Sequence, residues 1–551
     1  MHLSVLDLIY QRAGMVRPNP AVSEFRNGRW SDFEFEAIQR QAQHLSNYLI
    51  DSGIKSGDRI ALLSESDSNC GVVFFAAVRA GAILVALDAD GAVDDLRAQL
   101  LDSAPALVFA SKRYVDLAAK IVNELKMGTG IICTQESPDL PYRTVSSVST
   151  HILHEGCERN LEETALIAYT RGATAEPKGV MLTFSNLLFQ ADCLQRLFEV
   201  GKKDLFLSAL PPASLIELTF GYLGILFAGG QVCYIPEASF REKLRILPTL
   251  DVTHVVAHEP DLSLVVDVIR RRLARASMQR RLKFKMRFGL AKLLPRRSRR
   301  KLFPLVSEVV GSRFRSFISV GSVISADVES FLDTVGIDIY RGYGLTETGA
   351  VTTLNGADNF RLHSVGKPLP DVELRLLGSK GVGDAGEIVV RGPNIMRGYY
   401  KQGDKTSVAI DSSGWLYTGD LGVLDEDGYL FFRGRIKDLI HLADGSKFFP
   451  QEVEQVILQS ALIKEICLLG LRDPNSFYHN KVVAVVVPEK NGVSKSAITK
   501  SINVLLANMP AFMIPAKVVL STTSLPRTTS GEVKRHEVLS WLKSTESANQ
   551  L

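Results

Sequence analysis

At 551 residues the chain is too long for one hydrophobic core, so two or more domains are expected. With 46% hydrophobic and 23% charged residues and a net charge of +4, its composition is that of an ordinary soluble globular protein. Its six cysteines are scattered without a C-x-x-C pair, which argues against a zinc site or disulfide framework and fits a reducing, cytoplasmic compartment. The first apolar stretch contains Asp7 and has no basic lead, so no signal peptide is expected.

Taken in chain order, residues 35–52 read as a helix, 59–63 as a strand, 70–80 as a helix and 82–86 as a strand. Such alternation over residues 35–165 predicts parallel α/β layers. The apolar run 165–168 then feeds Tyr169-Thr-Arg-Gly-Ala-Thr-Ala-Glu-Pro-Lys-Gly-Val180. A strand leading into a small-residue loop offers backbone N–H groups, hydroxyls and one lysine to a polyphosphate, and glycine lets the backbone approach closely. The alternative is a plain strand–turn–helix corner; the spacing is not that of a Walker loop. The α/β texture continues through 204–236, with strands at 253–256 and 316–319. The greasiest segment, 218–230, is shorter than the ~18 residues a membrane span needs.

Residues 270–301 hold 15 of the 64 Lys/Arg and none of the 60 Asp/Glu, so the remainder of the chain is net acidic. Leu282, Phe284, Met286, Phe288, Leu290, Leu293 and Leu294 interleave with these charges. The segment reads either as a peripheral attachment to an anionic membrane surface or as a solvated helical hairpin. Nucleic acid is not expected, because no base-reading module accompanies the patch.

Farther on, Gly342-Tyr-Gly-Leu-Thr-Glu-Thr-Gly349 sets a hydroxyl and a carboxylate in a glycine-rich turn. From Asp371 short strands separated by glycines suggest a small β-rich subdomain (372–377, 386–391, 414–418, 429–433). Within it, Tyr417-Thr-Gly-Asp420 reads as an acidic turn, and Gly434-Arg-Ile-Lys-Asp438 as a glycine-led junction. A new unit follows, with a helix at 450–459 and strands at 466–471 and 481–488.

These four motifs, in this order, resemble the core motifs of the adenylate-forming (AMP-binding) superfamily of acyl-CoA synthetases, peptide-synthetase adenylation domains and luciferases. The resemblance runs from about Val5 to about Leu542. It implies a large N-terminal AMP-binding domain (1–436) of layered α/β subdomains with a β-rich subdomain, and a small mobile α+β C-terminal domain (437–551). Lys437, two places after Arg435, would be the hinge. The implied reaction joins a carboxylate to ATP as an acyl-adenylate and passes the acyl group to a thiol, in an AMP-forming acid–thiol ligase. Thr170, Gly172, Thr174 and Lys178 correspond to the phosphate loop, and Thr170 and Glu347 to Mg²⁺ or phosphate contacts. Gly321, Ser322, Gly342, Tyr343, Gly344 and Thr346 correspond to the nucleotide pocket. Asp420 would accept from both ribose hydroxyls, assisted by Arg435.

Leu210-Pro-Pro-Ala-Ser-Leu-Ile-Glu217 resembles the Leu-Pro-Leu-Ala-His-x-x-Glu segment of long-chain acyl-CoA synthetases and fatty-acyl-AMP ligases. A fatty or other hydrophobic carboxylate is therefore the expected substrate, with coenzyme A or the phosphopantetheine of an acyl carrier protein as acceptor. Residues 221–235 read either as tunnel lining or as core. The departures are specific. Arg171, Ala173 and Ala175 replace a serine, a threonine and a glycine, and Ser214 replaces a histidine. In Pro526-Arg-Thr-Thr-Ser-Gly-Glu-Val-Lys-Arg535, Glu532 stands where the resemblance puts the adenylation lysine. Lys534, two residues on, shares its face if the segment is extended and is the candidate replacement. The competing readings are a nucleotide- or adenylate-binding protein that has lost adenylation, and an enzyme keeping only the thioester or hydrolytic half-reaction.

Overall fold

The computed structural model describes residues 9–11, 20–26, 28–136, 139–148, 150, 152–170, 177–472, 479–490, 492–528 and 532–548. By compactness the chain divides into two units: Met1–Leu374 with Val390–Leu416, and Arg375–Val389 with Tyr417–Leu551.

The first unit carries two large sheets. In one, the strands run Gly398–Tyr399, Gly179–Thr183, Thr164–Tyr169, Ile83–Leu87, Arg59–Leu63, Leu107–Ala110, Gly130–Cys133 and Arg143–Thr144, with a parallel centre. Central strands such as Ile83–Leu87 are apolar on both faces, as expected where helices cover both sides of a parallel sheet. That strand begins one residue later than the sequence pattern suggested. The Ala82 N–H is taken by the Ala77 carbonyl in the turn that ends helix Ser68–Arg79. The N-terminus of this helix is capped by Asp67, which accepts from the Asn69 and Cys70 amides.

The second sheet orders Lys367–Pro368, Thr353–Leu354, Asp338–Tyr343, Ser316–Val320, His254–Val256, Leu205–Leu207, Gln231–Tyr234, Val22–Arg26 and Arg29–Phe33. Its helical cover includes the basic segment, which folds as the end of helix Glu259–Arg275, helix Met278–Ala291 and the short helix Arg296–Arg299. Part of that charge is structural. Arg296 and Arg299 both pair with Asp333, at 2.7 and 2.5 Å, and Arg300 donates to the Phe314 and Gly311 carbonyls. Residues 221–235 pack as core around Phe220, edge-on to Phe206; a Cβ on Gly221 would lie 2.7 Å from the Phe206 ring. Among the described residues no helix is long and apolar enough to cross a membrane.

The second unit contains most of a four-stranded sheet (Glu373–Leu377, Gly386–Arg391, Leu416–Leu424, Leu430–Arg435) and a three-stranded one. In the latter, Ile463–Arg472 runs antiparallel to His479–Pro488, which is parallel to Lys517–Leu520. Period-two alternation splits its side chains between two cores. Ile466 and Leu468 face one with Val453 and Ile498, while Cys467 and Leu469 face the other with Val538 and Leu542. Arg535 ties the last helix down through a bidentate pair to Glu454, both contacts 2.6 Å.

The motif read as an acidic turn is strand instead, and the glycine-led junction begins at a strand end. Residues 417–420 lie inside Leu416–Leu424, and Gly434 and Arg435 end Leu430–Arg435. The turn preceding the first of these is made at Gly414 (φ +81), next to the Ile410–Leu416 bridge. All six cysteines are free thiols.

Candidate active site

In the first unit, strands Ser316–Val320 and Asp338–Tyr343 run parallel with Val320 opposite Gly342. Their carboxyl ends therefore put Gly321–Ser322 beside Tyr343–Gly344, at the edge where open α/β sheets bind ligands. Ser322 is held by Ser319, Oγ to Oγ 3.1 Å. Gly344 has no room for a side chain: a Cβ would lie 2.0 Å from the Ala350 carbonyl oxygen. This close return of the chain shapes the 3₁₀ turn Thr346–Thr348, which the Thr348 hydroxyl pins by accepting from the Leu345 amide at 2.8 Å.

Glu347 sits in that turn, half-buried. Tyr399 donates its hydroxyl to Glu347 Oε1 at 2.8 Å. The Lys178 ammonium lies 5.2 Å from the centre of the Tyr399 ring, and the Lys178 carbonyl accepts from the Thr170 amide at 3.1 Å. Thr170, Lys178 and Glu347 are thus linked by a short relay of contacts through Tyr399. The phenol belongs to the described part of the site, although no motif marked it in the sequence. Its signal is tertiary: Tyr399 pairs opposite Val180 on strand Gly179–Thr183, which directly follows Lys178. Burial, reinforced by the Glu347 carboxylate, raises the Tyr399 hydroxyl well above its ordinary range, so it stays a neutral donor. Gly172 and Thr174, with Arg171, Ala173 and Ala175, lie outside the described residues.

Tyr399 engages one Glu347 oxygen, and among the described residues the other has no hydrogen-bond or ion-pair partner. Mg²⁺ suits such a place, since it takes one or two carboxylates and fills its octahedron with phosphate oxygens and water. Among the described residues no cluster of three or more His, Cys, Asp or Glu forms a resident metal site.

In the second unit, Asp420 is directly opposite Arg435 across antiparallel strands. Asp420 is buried, and its Oδ1 lies 3.8 Å from Arg435 Nε. Arg435 also reaches Glu532, Nη2 to Oε2 3.4 Å. Gly434 (φ +151) presses on Phe449, whose ring would lie 2.5 Å from an added Cβ. Lys437 follows, exposed in the 3₁₀ turn Ile436–Asp438.

The C-terminal motif is extended only briefly. Val533 bridges Arg527, and helix Arg535–Ala548 starts two residues later. Glu532 therefore meets Arg435, while the Lys534 ammonium pairs with Glu537 in the first helical turn at 2.8 Å.

Family comparison agrees with this architecture. Residues 11–400 match the AMP-binding enzyme family and residues 452–532 the AMP-binding enzyme C-terminal domain. The chain belongs to this adenylate-forming family and has its fold, a large N-terminal α/β domain and a small C-terminal one. Feruloyl-CoA synthase of Amycolatopsis sp. is 28% identical, covering 95% of this chain and 96% of its own. Long-chain-fatty-acid–CoA ligase of Salmonella typhimurium is 26% identical over 92% and 89% of the two chains. 2-Succinylbenzoate–CoA ligase of Geobacillus sp. is also 26% identical, covering 99% of both. Among solved structures, O-succinylbenzoate coenzyme A synthetase from Bacillus subtilis in complex with ATP and magnesium ion superposes with a TM-score of 0.76. It has 22% identity, over 96% of this chain and 98% of that one.

Proposed function

We propose that this protein is an AMP-forming acid–thiol ligase. A carboxylate oxygen attacks the α-phosphorus of ATP, pyrophosphate leaves, and the acyl-adenylate is formed. A thiol then gives up its proton, its sulfur attacks the acyl carbonyl, and AMP leaves. The relay Glu347–Tyr399–Lys178 carries this reading, because it holds a carboxylate and a cation together beside the strand that leaves the phosphate loop. Preorganised charge of this kind is what phosphoryl chemistry requires. Mg²⁺ arriving with ATP supplies further neutralisation of the phosphate oxygens, and Thr170 and Glu347 are the residues to hold it.

The remaining roles are part of the same proposal. Thr170, Gly172, Thr174 and Lys178 receive the phosphates; Gly321, Ser322, Gly342 and Tyr343 flank the base, and Gly344 and Thr346 complete the nucleotide pocket. Asp420 and Arg435 take the ribose, Lys437 is the hinge between the two half-reactions, and Lys534 supplies the adenylation cation. For substrate we infer a fatty or similarly hydrophobic acid, supported by the Leu210–Glu217 likeness and by a fatty-acid ligase among the relatives. Relatives that act on feruloyl and succinylbenzoate groups support an aromatic acid equally, and because these relatives are CoA ligases or synthases, coenzyme A is the better-supported acceptor. A carrier-protein thiol is the alternative acceptor. Free thiols throughout suit a reducing compartment such as the cytoplasm.

A second reading is favoured by one observation, the Arg435–Glu532 contact. A carboxylate at the position that the resemblance gives to the adenylation lysine would repel phosphates rather than neutralise them, as expected of a nucleotide-binding protein that has lost adenylation. Pyrophosphate release with a panel of fatty and aromatic acids separates the two. Acid-dependent release supports the ligase. ATP binding without release under any acid supports the binding protein, and turnover of a supplied acyl-adenylate alone leaves only the second half-reaction.

A further inference from the structure

Helix Met278–Ala291 has two apolar faces and only one of them is used. Phe284, Phe288 and Ala291 face the body of the first unit. Phe284 and Phe288 pack on Phe303, at 5.0 and 6.5 Å between ring centres, and Phe288 also meets Phe331 at 5.6 Å. At about 100° per residue, Met278, Leu282, Met286 and Leu290 fall within one third of the circumference on the opposite side. They are 76%, 60%, 60% and 55% exposed, and Leu293 just beyond the helix is 81% exposed. The aromatic anchors fix the roll of the helix, so this outer stripe cannot turn inward.

The stripe is bordered by Lys283 on one side and by Lys285 and Lys292 on the other. Of the 15 basic residues in 270–301, several have structural partners already, among them Arg296, Arg299 and Arg300. Arg271, Arg275, Arg280, Lys283, Lys285, Lys292 and Lys301 have no ion pair among the described residues, and no acidic residue lies within the segment. A strip of large apolar side chains between rows of uncompensated ammonium and guanidinium groups fits one environment closely. It can sink to the headgroup–acyl boundary while the long cationic stems reach lipid phosphates.

We propose that Met278–Ala291 is an in-plane docking helix whose occupant is the anionic face of a lipid bilayer. Apolar insertion and charge both contribute, because the free cations match acidic headgroups and the stripe supplies the buried area. Docking by this face is independent of the ligase reading and needs none of its site residues.

The test is co-sedimentation of the full chain with phosphatidylcholine vesicles, with and without phosphatidylserine. Partition is expected to be at least roughly tenfold stronger with phosphatidylserine and to fall as salt rises. Lys283→Glu with Lys285→Glu should lower it by on the order of a hundredfold, reversing two charges near the surface. Leu282→Ser with Met286→Ser should lower it by about tenfold or more, since inserted area is lost while charge is kept. All four side chains are exposed, so circular dichroism and ATP binding should match the parent in both variants. Equal partition to both vesicle types overturns the proposal, as does a serine pair that binds like the parent. It is also overturned by tighter retention on duplex DNA than on vesicles. So is a dimer that the serine pair converts to monomer, without vesicle binding by the parent.

Discussion

Arg435 Nη2 lies 3.4 Å from Glu532 Oε2 and Arg435 Nε lies 3.8 Å from Asp420 Oδ1, so one guanidinium serves two carboxylates. The residue that resemblance makes a lysine is thus an acid that competes with Asp420 for Arg435. Glu532→Gln should release Arg435 to Asp420, with ATP affinity unchanged or tightened by about 0.5–1 kcal/mol. Weaker ATP binding by calorimetry would show that the Glu532 contact supports the site.

Lys534 is the proposed adenylation cation, and its ammonium is held by Glu537 at 2.8 Å. Lys534→Ala should slow pyrophosphate release by roughly 10²–10³-fold, about 3–4 kcal/mol, while ATP affinity stays close to the parent's. An unchanged rate would refute this assignment and leave the fold untouched. Glu537→Gln frees the ammonium and should raise the rate modestly under the same assay.

Asp420 is buried opposite Arg435 and is assigned to the ribose. Asp420→Ala should weaken ATP and AMP binding by about 1–3 kcal/mol through lost charged hydrogen bonds. Asp420→Asn keeps the volume and should lose less. Absence of nucleotide binding by the parent protein in calorimetry would remove both the ligase and the binding-protein readings.

Tyr399→Phe removes the hydroxyl that engages Glu347 and keeps the ring beneath Lys178. The loss should appear as a changed Mg²⁺ dependence of ATP binding, worth about 0.5–1.5 kcal/mol, with little effect on melting temperature. A Mg²⁺ titration identical to the parent's would separate Tyr399 from the metal contact.

Glu217 is buried, and that burial pushes its carboxyl up to about 8, partly opposed by Lys243. An acid raised in the folded state gives stability that is complete below its unfolded value and is lost as pH rises through the folded one. Denaturation midpoints should therefore fall between about pH 4.5 and 8. Each pH unit in that window is worth at most about 1.4 kcal/mol. Glu217→Gln should flatten this fall; an equal slope in parent and variant would assign the pH dependence elsewhere.

Much of this architecture was legible in the chain itself, because local pattern and local structure share a period. The helix at Phe35–Asp51, the strand at Arg59–Leu63 and the motif order around Glu347, Asp420 and Arg435 follow from hydrophobic spacing and short glycine-led signals. Tertiary structure decided what non-local pairing controls. Strand register put Tyr399 opposite Val180 and Arg435 opposite Asp420, contacts that separations of 219 (399 less 180) and 15 (435 less 420) residues hide from any local pattern. It also divided the interleaved apolar residues of the basic segment, seating Phe284 and Phe288 on the core and leaving Leu282 and Met286 outside. Sequence periodicity gives the faces of a helix, but only packing against a neighbour decides which face is buried.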